Sequence, residues 1–378
     1  MIISENRFTV HYLIRAVSES EAALFCRRIA YEQSVELPDD VLSDEIRGHI
    51  VGQLTKLEND PQDGTWRASI SYAVDSVGDE VSQFLNVLFG NMSLYPGALV
   101  VGCKWDDIPA HILPGPKAGL TGVRKQLGIS SRRALSCTAL KPIGLETREL
   151  AHFCYSFALG GIDIIKDDHG LANQATSPFA DRLAACTDAV KRAADKTGHL
   201  AAYFPNITAD GSETLRRYEQ AYEAGAGGVL LMPHLCGPST MTEIAKSGIP
   251  LPVMAHPAFS GAYVLNGQQG FTPEFLYGTL WRKLGADFVI YPNAGGRFSF
   301  SEAACRAINE NCRRPLGSIA AAIPTPGGGV QRDTLPALLA GYGPDTCFLI
   351  GGSLYQHPRG IEYASRELTE LLHEGPAS

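Results

Sequence analysis

Gly160-Gly161-Ile162-Asp163-Ile164-Ile165-Lys166-Asp167-Asp168-His169-Gly170 decides how this chain is read. Ile162, Ile164 and Ile165 read as a buried strand. The strand ends abruptly in a lysine, two aspartates and a histidine, and glycine follows. Parallel sheets and barrels keep their chemistry at the C-terminal ends of their strands. Lys166, Asp168 and His169 would there offer oxygen and nitrogen ligands to a divalent metal. A lone KDD equally suits a helix start with acidic caps and a lysine stem laid along the surface. The rest of the chain separates the two readings.

Outward from this stretch, one unit recurs from Ala134 onward: apolar strand, short loop, amphipathic helix. Strands are expected at 135–139, 162–165, 200–204, 228–232, 252–255, 288–291, 319–323 and 347–350. Helical patterns lie between them, among them 147–159, 182–196, 212–224, 273–284 and 302–311, with a last helix over 360–372. Eight strand–helix units in succession predict a closed (β/α)8 TIM barrel, an α/β fold. Strands covered on both faces account for the nearly continuous apolar runs.

The opening of the chain differs. Residues 8–17 alternate like a strand and 19–31 form an amphipathic helix pattern. Residues 49–57 and 66–73 read as paired antiparallel strands around a turn at 60–64, and 79–88 reads as a helix. The expected division is an α+β N-terminal domain over 1–120 and a barrel domain over 121–378, joined by a Gly/Pro-rich connector at 109–122.

Composition narrows the function. The 378 residues are 45% hydrophobic and carry a formal net charge of -8 with no basic tract, which disfavours a nucleic-acid or membrane-surface role. The 9 cysteines include no CxxC pair, and Cys137 and Cys347 lie in apolar runs, as reduced thiols of a cytoplasmic enzyme would. Residues 1–15 lack a signal-peptide core, and no apolar run reaches membrane-spanning length.

A barrel gathers its strand ends at one mouth, so the residue after each strand matters. Lys141 follows the first strand, and Lys166, Asp168 and His169 the second. Asn206, His234 and His256 follow the third, fourth and fifth, and Asn293 with Arg297 the sixth. The seventh leads into Thr325-Pro326-Gly327-Gly328-Gly329 and the eighth into Gly351-Gly352-Ser353. One such group is ordinarily structural; polar residues at all eight ends point to a site. Glycine pairs beside helix N-termini expose backbone N–H groups that cradle an anion, and barrels bind phosphate at that corner. Tight turns alone would account for one pair. A neutral lysine amine adds CO2 to give a carbamate, an anionic oxygen ligand. Hard oxygen ligands and phosphate suit Mg2+, one ion per site, better than Zn2+. Such a metal polarises a carbonyl and stabilises an enediolate formed by deprotonation or by loss of CO2.

On these residues the chain resembles the large subunit of RuBisCO, and more closely the RuBisCO-like proteins of form IV. The anchors are GPKAGLTGVRKQLG before the barrel, SCTALKPIGL, GGIDIIKDDHG, PFADR, AHP, GGG and IGGSLYQHP. The resemblance implies an α+β, ferredoxin-like N-terminal domain before the barrel. It also implies a head-to-tail homodimer with a shared active site and no small subunit. It implies that Lys166 is a carbamylated metal ligand and Asp168 a second ligand, with His169 where RuBisCO has a glutamate. Glu32 and Asn91, in IAYEQS and FGNMS, match residues that reach into the partner's site. His256 matches the histidine after strand five. Gly328, Gly329, Gly351 and Gly352 match backbone phosphate contacts, and Arg297 stands in for the mobile lysine of the loop after strand six.

The departures argue against CO2 fixation. Pro257 replaces an arginine, VIYPN replaces a histidine-bearing strand end, and Gly327 replaces a serine. In RuBisCO those groups hold the second phosphate, so a monophosphate is implied. An ungapped alignment puts Leu140 at the catalytic lysine's position and Lys141 one residue later, which leaves open whether Lys141 faces the site. The ALKP–KDDHG variety resembles the branch that degrades apiose and apionate. It implies Mg2+-dependent decarboxylation of a sugar-acid phosphate, 3-oxo-isoapionate 4-phosphate, with Lys141 or His256 protonating the enediolate. A transcarboxylase/hydrolase on the same substrate comes next. After it come an enolase or isomerase of a methylthio-ketose monophosphate and a non-catalytic binding homologue.

Overall fold

The alternation at the start of the chain becomes strand β1 (Arg7–Arg15), which buries Phe8, Val10, Tyr12 and Ile14 on one face. The structure, a computed structural model, describes residues 5–60, 64–298 and 300–374. The helix Glu19–Glu32 follows β1, capped by Ser18, whose Oγ accepts from the Glu21 N–H at 3.2 Å. Then come β2 (Gln53–Asp60), β3 (Thr65–Ala73), the helix Val81–Phe89 and β4 (Ala98–Lys104). Within the turn expected at 60–64, residues 61–63 lie outside the described residues. The strands run β4–β1–β3–β2 with antiparallel pairs, the order of a ferredoxin-like βαββαβ unit.

The barrel strands are β5 (Leu135–Leu140), β6 (Ile164–Asp167), β7 (Ala202–Phe204), β8 (Val229–Leu231) and β9 (Val253–Ala255). The next strand, β10 (Gln269–Phe271), pairs in parallel with β4 and extends the small sheet instead. β11 (Phe288–Pro292), β12 (Ile323–Gly327) and β13 (Cys347–Leu349) complete eight parallel strands in the order β7–β6–β5–β13–β12–β11–β9–β8. The ring closes where Leu230 N donates to Pro205 O at 2.9 Å and Ile207 N donates to Leu230 O at 3.0 Å. This is the (β/α)8 barrel the sequence predicts.

Contacts divide the chain into Met1–Pro114 with Ser260–Leu276, and Gly115–Phe259 with Tyr277–Ser378. The boundary read from the sequence at 120/121 lies close to the first of these breaks. The excursion at 260–276 has no counterpart in that reading.

One strand is displaced from its expected place. Residues 319–323 are the more apolar, but the Ile319 and Ala320 carbonyls accept Arg282 Nη2 at 2.8 Å and Nε at 2.7 Å, and the strand begins at Ile323. Pro324 and Pro326 argue against a central strand. Here Ile323 N donates to Asp287 O and Gly327 O accepts from Asn293 N, so the odd positions bond toward β11. The prolines face β13, which pairs with β12 only at Gly327 and Leu349.

The barrel interior is filled by Leu135, Cys137, Ile164, Phe204, Leu230, Met254, Phe288 and Ile323, with Val123 and Leu127 packed onto it. None of the nine cysteines forms a disulfide. Among the described residues no helix is long and apolar enough to cross a membrane.

Candidate active site

Side chains alternate along a strand, so the core residues fix which neighbours face inward. Leu135 and Cys137 belong to the barrel core, and Lys141 shares their parity. Ile164 sets the same parity for Lys166 and Asp168, and Met254 sets it for His256. The lysine that follows β5 is therefore aligned with the site although it stands one residue late.

Asp167 turns the other way. Its carboxylate accepts Arg182 Nε at 3.1 Å, the Tyr203 hydroxyl at 2.7 Å and the Asn206 N–H at 2.9 Å. That clasp fixes the strand end from behind. Asn206 also belongs to the framework: its Nδ2 donates to Leu171 O at 2.9 Å and His169 O at 3.2 Å, holding the KDDHG loop.

The inward group is compact. Lys141 Nζ lies 3.1 Å from Asp168 Oδ1, and His169 Nδ1 lies 3.5 Å from the same oxygen. The His169 and His256 rings stack at 4.7 Å and 16°. Lys166 is buried and donates to Asp167 O at 3.0 Å. Burial pushes its amine below the usual lysine range. Burial alone would raise the Asp168 carboxyl, but the His169 hydrogen bond and the charges of Lys166 and Lys141 outweigh it and hold it well below the carboxylate range. Burial, with Lys166 adding to it, pushes His256 well below the usual imidazole range. Its Nδ1 accepts the Ala258 N–H at 3.1 Å, so in the neutral ring Nε2 carries the proton.

The glycine loops are open where a ligand would need them. Gly328 and Gly329 have φ of +82° and +74°, and a Cβ on Gly328, Gly351 or Gly352 would meet nothing within 4 Å. Gly329 is different: its Cβ would lie 2.8 Å from Gly296 Cα, so the loops after β11 and β12 interlock there. Glu367 ties the loops after β12 and β13, with Arg332 at 2.9 Å, His357 at 3.4 Å and Arg359 at 3.7 Å.

Other expected site residues make contacts outside this inward group. Arg297 is exposed, its guanidinium 5.8 Å over the Phe298 ring. Asn293 accepts the Tyr342 hydroxyl at 2.7 Å. His234 lies 5.8 Å from the Trp281 ring, and burial lowers its pKa to about 4. In the smaller unit Asn91 Nδ2 donates to Glu32 Oε1 at 3.0 Å and to Glu36 Oε1 at 2.6 Å, so the two expected residues do meet.

Three residues escaped the sequence reading. Ile143, 52% exposed, lies against Gly170, where a Cβ would stand 2.5 Å from its Cδ1. Glu367 and Tyr355 carry no local signal beyond polarity and an aromatic ring near the glycine pair. Among the described residues no three His, Cys, Asp or Glu side chains converge as metal ligands. Asp168 and His169 could offer two donors, and a third would require Lys166 as an anionic ligand.

The model of the catalytic domain of the ribulose bisphosphate carboxylase large chain matches residues 119–369. Ribulose bisphosphate carboxylase-like protein 1 of Rhodopseudomonas palustris is 38% identical over 373 residues, covering 98% of this chain and 99% of its own. The 5-methylthioribulose-1-phosphate isomerase of Rhodospirillum rubrum is 35% identical, covering 93% and 92%. The crystal structure of a Rubisco-like protein from Rhodopseudomonas palustris superposes with a TM-score of 0.88 at 35% identity, covering 99% of this chain and 100% of that one.

Proposed function

Because the chain belongs to the RuBisCO large-chain family, as a RuBisCO-like member, we propose that its barrel mouth performs Mg2+-dependent enediolate chemistry on a singly phosphorylated sugar acid. The net reaction is decarboxylation of the branched β-keto acid 3-oxo-isoapionate 4-phosphate. The observation that carries this reading is the Lys141 amine 3.1 Å from Asp168, beside a buried Lys166.

The donor set fits the metal. A buried lysine amine pushed toward its neutral form is the form that adds CO2. Lys166 as a carbamate, Asp168 and His169 would hold Mg2+. When bound, the ion supplies Lewis acidity to the substrate carbonyl and neighbouring oxygen. The chain's own groups do the rest. The N–H groups of Gly328, Gly329, Gly351 and Gly352 hold the single phosphate. Pro257, Gly327 and Asn293, already bonded to Tyr342, leave no cationic grip for a second one. Lys141 delivers a proton to the carbon that has lost CO2, with His256 as the alternative donor through Nε2. Arg297 closes over the bound substrate. In a homodimer, Glu32 and Asn91 of each subunit complete the site of the other.

A second reading, enolisation or isomerisation of a methylthio-ketose monophosphate, is favoured by two observations. The 35% identical relative bears an isomerase name, and Ile143 offers an apolar surface beside Gly170 for a methylthio group. Both readings use the same enediolate and differ in the bond broken, C–C or C–H. The test supplies Mg2+ and bicarbonate, follows CO2 release from 3-oxo-isoapionate 4-phosphate, and follows deuterium exchange of 5-methylthioribulose 1-phosphate in D2O. CO2 release supports the first reading, exchange without it the second. Carboxyl transfer to an acceptor, without free CO2, marks the transcarboxylase. Full activity in Lys166→Ala would remove the metal reading altogether.

A further inference from the structure

Tyr355 ends the short helix Gly352–Tyr355 that follows β13, edge-on to Phe153 at 5.4 Å and Phe157 at 5.3 Å. Its hydroxyl donates to Ala139 O at 2.9 Å and accepts the Lys141 N–H at 2.9 Å. The last backbone rung between β13 and β5 is Ile350 N to Cys137 O, also 2.9 Å. In a parallel pair Cys137, Ala139 and Lys141 present their backbone groups to the same neighbour. The next rungs would therefore use the N–H and C=O of residue 352. The chain turns out of the strand at Gly351, with φ −114° and ψ −107°. One phenolic hydroxyl takes both places, and burial raises its pKa so that it stays protonated and donates.

We propose that Tyr355 is the positioning residue for Lys141: its hydroxyl extends the β5 ladder past the end of β13 and so fixes the face on which the lysine emerges. The proposal rests on the reading of Lys141 as the proton donor. A strand that keeps its path keeps its alternation. The lysine then stays on the inward parity of Cys137 and Ala139, within 3.1 Å of Asp168, and Leu140 stays on the other face. The same substitution of hydroxyl for backbone leaves Gly352 out of the ladder.

Tyr355→Phe keeps the ring and deletes both hydrogen bonds. With the phosphorylated substrate and Mg2+, kcat should fall about ten- to a hundredfold, the scale of a misplaced catalytic group. KM should stay within about twofold, and the solvent isotope effect on kcat should rise as proton delivery becomes slower. A merely structural tyrosine would lower the melting temperature and leave the isotope effect alone. Lys141→Ala separates the premises: full activity there overturns the reading of Lys141 itself. Loss of activity in Lys141→Ala together with an unchanged kcat and isotope effect in Tyr355→Phe overturns the positioning role alone. A second variant covers failure of Tyr355→Phe to fold. In the swap Leu140→Lys/Lys141→Leu the fixed parity should turn the lysine away and abolish turnover, and an active swap overturns the proposal.

Discussion

Buried charges at the strand starts and on the inward face of the barrel mouth are partnered to different degrees. At the strand starts, Asp163 and Asp287 are fully buried, yet each is surrounded by donors. Asp163 takes both arms of Arg133 at 2.7 and 2.8 Å, the Ser136 N–H at 2.8 Å and the Ser136 hydroxyl at 3.0 Å. Asp287 takes the Ala118 and Gly119 N–H groups at 2.7 Å and the Val253 N–H at 2.8 Å. At the mouth, Lys166 is as deeply buried, but its one hydrogen bond among the described residues goes to a neighbouring carbonyl. Burial there drives Lys166 and His256 toward their neutral forms. Complete pairing marks architecture. Incomplete pairing leaves a group whose charge a ligand or CO2 can still change.

The largest expected effects test the two ends against each other. Lys166→Ala should cost on the order of a thousandfold or more in turnover, since it removes the proposed anionic metal ligand. It should leave unfolding midpoints in urea unchanged or raised, because it removes a buried amine. Asp163→Ala should do the reverse. It strands the Arg133 guanidinium, half of a pair 13% and 1% exposed, and should lower stability by about 3–5 kcal/mol. Activity per folded molecule should survive. If Lys166→Ala unfolds the protein as readily as Asp163→Ala, the two ends do not differ.

The same contrast explains what the sequence could reveal. Buried strand cores are apolar and nearly continuous, so seven of the eight strands were placed within a few residues. The other begins four residues later than expected because its backbone bonds, not its side chains, choose its bounds: Arg282 occupies Ile319 and Ala320, and two prolines are harmless where β13 asks for no bond. Strand β10 was invisible because three residues, Gln269, Gly270 and Phe271, carry no alternation to read. At the mouth, residue type and strand parity are enough to expect Lys166, Asp168, His169 and His256 on the inward face. They could not show that Asn206 holds a loop or that Tyr355 substitutes for a strand, because those roles depend on residues distant in the chain. Nor does the sequence show that the Arg297 guanidinium lies over the Phe298 ring.

The pH dependence sharpens the comparison at the mouth. His234 follows β8, and burial lowers its pKa to about 4. An unfolded histidine takes its proton near pH 6.5. Below that pH the unfolded chain therefore binds more protons than the folded one. Stability should be full above about pH 6.5 and fall as the pH drops toward about 4, by about 2–3 kcal/mol for this group. His234→Gln should flatten that slope, as seen in urea unfolding repeated across the interval. An unchanged slope would mean that the mouth does not hold this imidazole neutral.

The smallest effect belongs to Glu367, where neither end's logic applies in full. Its carboxylate is 19% exposed, while Arg332 and Arg359 are 59% and 60% exposed, so each pair is worth only about 0.2–1 kcal/mol. What the pairs share is geometry: one carboxylate spans the loop after β12 and the loop after β13. Glu367→Gln should raise KM for a phosphorylated substrate about threefold and leave kcat unchanged, because in the proposed function the loops hold the phosphate and not the reacting carbon. Inhibition by inorganic phosphate should weaken by the same factor. Glu362→Gln, which breaks an exposed pair with Arg366 on the same helix, should change neither. Equal behaviour of the two variants would show that Gly328 and Gly352 keep their spacing without the strap.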